Sequence, residues 1–311
     1  METRSLGRTD VRLGEITLGT WGLAEQSYGH VSPERFDRIV RAAIDEGVTS
    51  FDLAPLWGDG EAERRVGRLI GEAGIEAAVI TRAGVKRVDG KLRQSFASED
   101  LIADCEASLE RLGREHVDVW LLHNPGEDVL RREEWREAVD RLLEDGKIRA
   151  WGVSAGDAAE ARIAIAAGAQ AVCLPYNILV PHDVEDLGAD LALGGCSVLA
   201  RSPLAHGLLA GQWSEARLFA AADHRARRWS PQALATRIRQ VNALRFLVGR
   251  EHPDLATAAL RFVLTHPAVA TAIVGARSEA QVSSAVRAAD NPRLRDDDMV
   301  RIVKVRDAAG I

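Results

Sequence analysis

The sequence has little of what marks an exported, membrane-bound or nucleic-acid-binding protein. Among its 311 residues are three cysteines, Cys105, Cys173 and Cys196, an odd count without metal-ligand spacing. They read as reduced thiols of a cytoplasmic protein, with no disulfide frame and no metal site. No apolar run reaches the roughly 18 residues of a membrane helix. The opening residues, METRSLG, lack the apolar core of a signal peptide. No block of Lys and Arg forms a phosphate-binding stripe, and the formal net charge is −6. Neither a membrane nor a nucleic-acid partner is therefore expected. Linkers, repeats and low-complexity tracts are also missing, so one domain spanning residues 1–311 is expected. A chain this long, with 46% hydrophobic residues, can bury a full core.

What is present is alternation. Short β-like runs occur at Ile16–Gly19, Thr49–Asp52, Ala78–Thr81, Val117–His123, Ala150–Val153, Ala171–Leu174, Ser197–Ala200 and Thr271–Val274. Amphipathic stretches lie between them. In Pro33–Glu46, the side chains of Phe36, Ile39, Val40, Ala43 and Ile44 share one helical face. Ser32 and Pro33 start that helix and Gly47 stops it. Asp100–Leu112 and Glu133–Leu143 repeat the pattern. Alternating β and α units imply parallel strands joined by right-handed crossovers. Eight of them suit a closed (β/α)8 TIM barrel better than an open sheet. Leu6–Asp10 reads as the turn of an extra N-terminal β-hairpin closing the barrel bottom. The stretch from Gly211 to Ser230 is long for a connection and gathers Arg225, Arg227, Arg228 and Trp229 near its end. Loops of that length are often functional.

In such a barrel the chemistry projects from the C-terminal ends of the strands. There the sequence places Asp52 with Trp57 after it, Arg82, His123, Ser154, Cys173, then Tyr176 and Asn177, then Arg201 and Ser202, and finally Gly275–Ser278. An Asp52–Arg82 pair alone reads equally well as a rim-closing ion pair. His123 at the same level turns the reading towards a site.

These same residues carry a family resemblance. FDLAPLWGDGEAE at Phe51–Glu63 is one signature, and Ser108–Gly113 with Asp118 and Leu121–Pro125 is another. Gly152–Ser154, Tyr176-Asn177, Ser202–Leu204 with Gly207 and Gly211, and Val274–Arg277 add further landmarks. With them the sequence resembles an aldo-keto reductase from Leu18 to about Asp290. The resemblance implies the barrel and NADPH-dependent carbonyl reduction by four residues. A Tyr acts as the general acid, a Lys lowers its pKa, an Asp holds the Lys, and a His orients the substrate.

Mapped here, Asp52 and His123 remain, but the Tyr position is Trp57 and the Lys position is Arg82. An indole N–H donates a hydrogen bond without surrendering its proton near neutrality, and Arg keeps its charge. A proton donor contributes about 10²–10⁴-fold, so its loss cripples the usual route. The nicotinamide contacts implied by the family become Ala155, Cys173 and Arg201, and the adenine-side pattern keeps only Gln281. Ser154, Ser202, Gly275, Arg277 and Gln281 are thus residual cofactor-binding positions. The Gly275–Ser278 turn still offers N–H groups and a cation to a phosphate, or is simply an inherited strand-to-helix connection.

The leading expectation is a non-redox enzyme acting on a small carbonyl or polyhydroxylated metabolite by dehydration, isomerisation or cyclisation, with no cofactor. Asp52 and His123 would do acid/base work, with the His titrating near neutrality. Arg82 and Arg201 would bind an oxyanion, enolate or carboxylate. Trp57 and Trp21 would form an apolar wall, with Tyr176 and His206 as further substrate contacts. An NADP(H)-dependent reductase with a rebuilt tetrad, and a catalytically silent regulatory barrel, remain open. The helix faces do not settle the oligomeric state.

Overall fold

The computed structural model describes residues 1–24, 27–291 and 293–311. Eight parallel strands close into a barrel: β1 (Ile16–Gly19), β2 (Ser50–Asp52), β3 (Ala78–Ala83), β4 (Val117–His123), β5 (Ile148–Ser154), β6 (Ala171–Pro175), β7 (Ser197–Arg201) and β8 (Val269–Gly275). Each pairs with the next in chain order, and β8 returns to β1 through Gly275 opposite Gly19. All eight expected strands form, several one to three residues longer than their apolar runs. Part of the extra length carries polar residues to the rim, at Arg82, Ser154 and Arg201, and part extends the N-terminal ends, at Ile148 and Arg149 and at Val269 and Ala270.

The strands are buried on both faces, as a barrel wrapped in helices requires. The inner face contributes Ile80, Val119, Leu121, Ala150, Ala171, Cys173, Leu199, Ala270 and Ile273 to one cluster. Leu6, Val11 and Leu13 join that cluster and are fully buried. They come from the N-terminal hairpin, Thr3–Ser5 antiparallel to Arg12–Gly14, which plugs the bottom as expected. Gly152 on β5 sits where an added Cβ would lie 2.0 Å from the Ala171 carbonyl oxygen, so only glycine admits this contact with β6.

Two local features depart from expectation. The helix expected over Glu133–Leu143 forms at Arg136–Glu144, three residues late, and a separate short helix, Gly126–Arg132, precedes it. Glu133 takes a left-handed φ of 59°, and the break between them seats Trp135 in the core against Trp151, ring centroids 4.9 Å apart. A second hairpin, Val85–Val88 paired with Lys91–Gln94, follows β3. Its strands are mostly exposed and lack an apolar alternation. Asp89-Gly90, with φ of 51° and 74°, was the legible turn signal.

Candidate active site

The mouth is built by strand ends. β2 finishes on Asp52, β4 on His123, β5 on Ser154, β7 on Arg201 and β8 on Gly275, while Arg82 and Cys173 lie on β3 and β6. Ser154 is in register with both His123 and Cys173, which sets neighbouring side chains at one level.

Arg82 is the centre of the floor. Its Nη2 lies 2.7 Å from Asp52 Oδ1, with both side chains almost fully buried. Nη1 donates to the Leu53 carbonyl at 2.7 Å and Nη2 to Cys173 Sγ at 3.6 Å. The guanidinium carbon stands 4.9 Å from the centre of the Trp57 ring. Trp57 is itself nearly buried, so its indole face supports Arg82. Burial pushes the Asp52 carboxyl above its ordinary range while the Arg82 guanidinium pulls against it. An Asp buried against a guanidinium is a poor free base, which narrows the role expected for Asp52 to holding Arg82. Burial also raises the Cys173 thiol, so it stays protonated.

His123 is neutral. Burial first, then the charges of Arg82 and Arg201, push it down to about 3. This corrects the expectation that it titrates near neutrality. Its Nδ1 is buried with no hydrogen-bond partner among the described residues. Arg201 donates from Nη2 to the Ala155 carbonyl at 3.1 Å, reaching past β6 towards the end of β5. Its Nε is likewise buried and unpartnered among the described residues. Burial lowers its pKa from the usual arginine value.

Beside this floor stands an aromatic and cationic cluster from the loops after β1, β7 and β8. The Trp21 ring makes edge contacts with Tyr28 at 5.5 Å and His224 at 5.1 Å. Arg225 lies 4.7 Å from the Tyr28 ring centre, 4.7 Å from Phe219 and 5.3 Å from Trp213. Asp223 holds its guanidinium, with Nη2 2.6 Å from Oδ2. Tyr28 pairs with Asp223 in an isolated antiparallel bridge, and His224 N donates to the Ser27 carbonyl at 2.7 Å. His206 joins through Nδ1, 3.5 Å from the Tyr28 hydroxyl. Burial, then Arg228 and His224, push His206 down to about 3. Ser202, Ala205 and His206 all adopt left-handed φ, between 46° and 58°. Such backbone strain gathers at functional loops.

The structure thus brings Asp52, Arg82, His123, Cys173 and Arg201 together, with Trp57 packed on Arg82 and Trp21 and His206 in the adjoining cluster. Tyr176 is the exception. Its ring is buried in the helix layer, stacked 5.5 Å from Phe262 and edge-on to His266, so the expected substrate contact is corrected to a packing residue. Tyr28, Trp213, Phe219, Asp223 and His224 were not singled out from the sequence. They lie in loops without periodicity, and only the neighbouring run from Arg225 to Trp229 signalled the cluster.

The residual cofactor positions fare differently from expectation. Arg277 spends its guanidinium on backbone carbonyls: Tyr28 from Nη1, and Gly29 from Nη2 at 3.2 Å. Its backbone N–H donates to Gln281 Oε1 at 2.7 Å, while Ser278 Oγ caps the following helix by accepting from Gln281 N at 3.3 Å. That turn is closed on itself, which corrects the picture of a cation waiting for a phosphate. At the other end Arg201 takes the Ala155 carbonyl beside Cys173, where the family's carboxamide contacts would stand. The side chains in these positions do not fit a dinucleotide as arranged. Ser202 has a strained backbone and its carbonyl accepts from Asn177 Nδ2 at 3.0 Å. Gly275 closes β8.

One cluster of metal-ligand types occurs among the described residues, Glu251, His252 and Asp298, with atoms within 4.8 Å of one another. Arg261 Nη1 donates to His252 Nδ1 at 3.0 Å, so the imidazole proton sits on Nε2, 3.9 Å from Asp298 Oδ2. Arg295 Nε already lies 3.3 Å from Glu251 and 3.5 Å from Asp298. A guanidinium serves these carboxylates.

The closed barrel of eight parallel strands, with charged groups at its C-terminal mouth, defines the class as a (β/α)8 TIM barrel. Residues 15–307 match the model of the aldo/keto reductase family, and the chain belongs to that family. It is 29% identical to aldo-keto reductase YhdN of Bacillus subtilis over 293 residues, 91% of this chain and 87% of that protein. It is 28% identical to L-glyceraldehyde 3-phosphate reductase of Escherichia coli O157:H7, covering 97% and 91% of the two chains. The glycerol dehydrogenase AKR11B4 of Gluconobacter oxydans superposes with a TM-score of 0.87 at 26% identity, covering 98% and 94%. No helix among the described residues is long and apolar enough to cross a membrane.

Proposed function

We propose that this family member acts on a small carbonyl-bearing metabolite by non-redox proton transfer, using the reductase frame without hydride chemistry. The observation that carries the reading is Arg201, whose guanidinium bonds the Ala155 carbonyl at 3.1 Å beside Cys173. A cation there disfavours an oxidised nicotinamide and favours an oxygen that gains negative charge. Trp57 and Arg82 give no proton donor in the place of the family's Tyr and Lys.

In the proposed reaction the C–H bond next to the substrate carbonyl breaks. Its proton passes to the neutral His123, and its electron pair becomes an enolate whose oxygen faces Arg201. Burial is the main cause of the depressed His123, and negative charge beside Arg201 offsets only the smaller contribution of that arginine, which shifts the imidazole towards greater basicity when substrate is present. Where the α-carbon bears a hydroxyl, transfer of that hydroxyl's proton to the enolate oxygen and return of the His123 proton to the former carbonyl carbon complete an isomerisation. Its departure with a β-hydroxyl group, as water, completes a dehydration. Asp52 holds Arg82, and Arg82 holds the floor.

The test is proton exchange in D₂O, followed by NMR for hydroxyacetone, dihydroxyacetone and pyruvate. Exchange next to the carbonyl is expected to be accelerated, and to fall about 10²–10⁴-fold in His123→Ala. Unaccelerated exchange for all three, or an unaffected His123→Ala, would sink the reading.

A second reading has a specific observation behind it. Two relatives matched over nearly their whole length carry reductase names, which supports an NADP(H)-dependent carbonyl reductase with a rebuilt site. Oxidation of NADPH by an aldehyde would decide for it. On either reading the partner is a small metabolite.

A further inference from the structure

We infer that the substrate carries a carboxylate, and that Arg201 is its receptor. The inference rests on the mouth being the substrate seat and names what enters it. Asp52 and Arg82 neutralise each other at 2.7 Å, and Asp223 is taken by Arg225. Arg201 remains with no carboxylate paired to it among the described residues. Its backbone-directed bond to Ala155 uses Nη2 alone, and Nε is buried without a partner. A guanidinium in this state lacks a counter-charge and, at Nε, an acceptor, and a ligand oxyanion supplies both at once. His123 Nδ1, also buried and unpartnered, offers one further polar contact.

The charge balance chooses among oxyanions. Arg201, half-buried and without a paired carboxylate among the described residues, offers a single charge that matches a monoanion, whereas Arg277 spends its guanidinium on the Tyr28 and Gly29 carbonyls. A phosphate calls for more donors, and in the turn after β8 the N–H groups of Arg277 and Gln281 are already engaged by Gln281 Oε1 and Ser278 Oγ. The planar guanidinium edge suits a planar carboxylate. A carboxylate next to a carbonyl, as in a 2-oxo acid, places its charge at Arg201 and the acidic C–H within the same small mouth.

The experiment is calorimetric titration of the full chain with oxamate, a carboxylate joined to a carbonyl, beside ethyl oxamate and inorganic phosphate. Oxamate is expected to bind saturably and ethyl oxamate not to bind. Arg201→Gln is expected to weaken oxamate about 10²-fold. Arg201→Lys, which keeps the charge but not the planar edge, should weaken it about 10-fold, and it serves if the Gln variant misfolds. Arg228→Gln, altering an exposed cation near the entrance, should change affinity less than about 3-fold. Equal binding of oxamate and its ester overturns the inference, as does unchanged affinity in Arg201→Gln or Arg201→Lys, or no binding by the unaltered chain. Phosphate binding tighter than oxamate, lost with Arg201, also overturns it and assigns a phosphate seat. Oxamate binding needs no turnover. Arg201-dependent binding without proton exchange contradicts the non-redox reading alone; exchange without Arg201-dependent binding contradicts only the carboxylate.

Discussion

At the bottom of the barrel, Leu6, Val11 and Leu13 fill the interior and their hairpin is tied down by matched polar bonds. Arg4 meets Glu15 at 2.7 Å, Gly14 N donates to Ser50 Oγ at 2.7 Å, and Gly7 N donates to Ser197 Oγ at 2.7 Å. Asp118 accepts from Val79 N at 2.8 Å and from Arg149 at 2.9 Å. At the mouth the pattern is reversed. His123 Nδ1, Arg201 Nε, His224 Nε2 and Arg277 Nε are buried without hydrogen-bond partners among the described residues, and Ser202, Ala205 and His206 in the loop after β7 carry left-handed strain. The bottom is not perfect, since Glu15 Oε2 is also unpartnered. The contrast still holds: one end spends its polar groups on stability, and the other keeps them in reserve. That division is the general economy of the TIM barrel.

Breaking the buried ion pair at the floor of the mouth should show the largest effect. Arg82→Met leaves the Asp52 carboxylate buried and alone, with an expected loss of about 3–5 kcal/mol in urea unfolding. Adding Asp52→Asn should recover most of it. At the bottom, Leu13→Ala opens a cavity in the plug and should cost about 2–5 kcal/mol. It should leave activity per folded molecule unchanged, the opposite of His123→Ala.

The pH dependence sharpens the same contrast. His123 falls from 6.5 in the unfolded chain to about 3 in the folded one, so folding favours its neutral form. The resulting stability is complete above about pH 6.5 and is lost as the pH falls towards about 3. Each such group contributes a slope of about 1.4 kcal/mol per pH unit inside that window. Urea midpoints measured from pH 7 to pH 4 should fall less steeply for His123→Asn than for the unaltered chain, and Leu13→Ala should keep the full slope.

The order of elements was legible because it is periodic. Strands buried on both faces appear as apolar runs, and helices announce themselves through caps such as Ser32-Pro33. The mouth residues were legible too, because a barrel sends strand ends to one rim. Protonation was not: the depressed His123 depends on burial and, after it, on two arginines from other strands, which no spacing reveals. Nor was orientation, since Tyr176 and Asn177 are neighbours in sequence while the tyrosine ring turns into the helix layer. Arg277 kept the family's position and lost its freedom to Tyr28 and Gly29, a partnership made some 250 residues apart in sequence. Loops hide such pairings because nothing periodic constrains them.

The most direct test of a mouth turned from hydride transfer to proton transfer is a fluorescence titration of the purified chain with NADPH. With Arg277 held by the Tyr28 and Gly29 carbonyls and the cation of Arg201 disfavouring an oxidised nicotinamide, no saturable binding is expected at micromolar nucleotide. Tight binding, followed by NADPH oxidation on adding methylglyoxal or glyceraldehyde, would contradict the account and return the chain to the reductases.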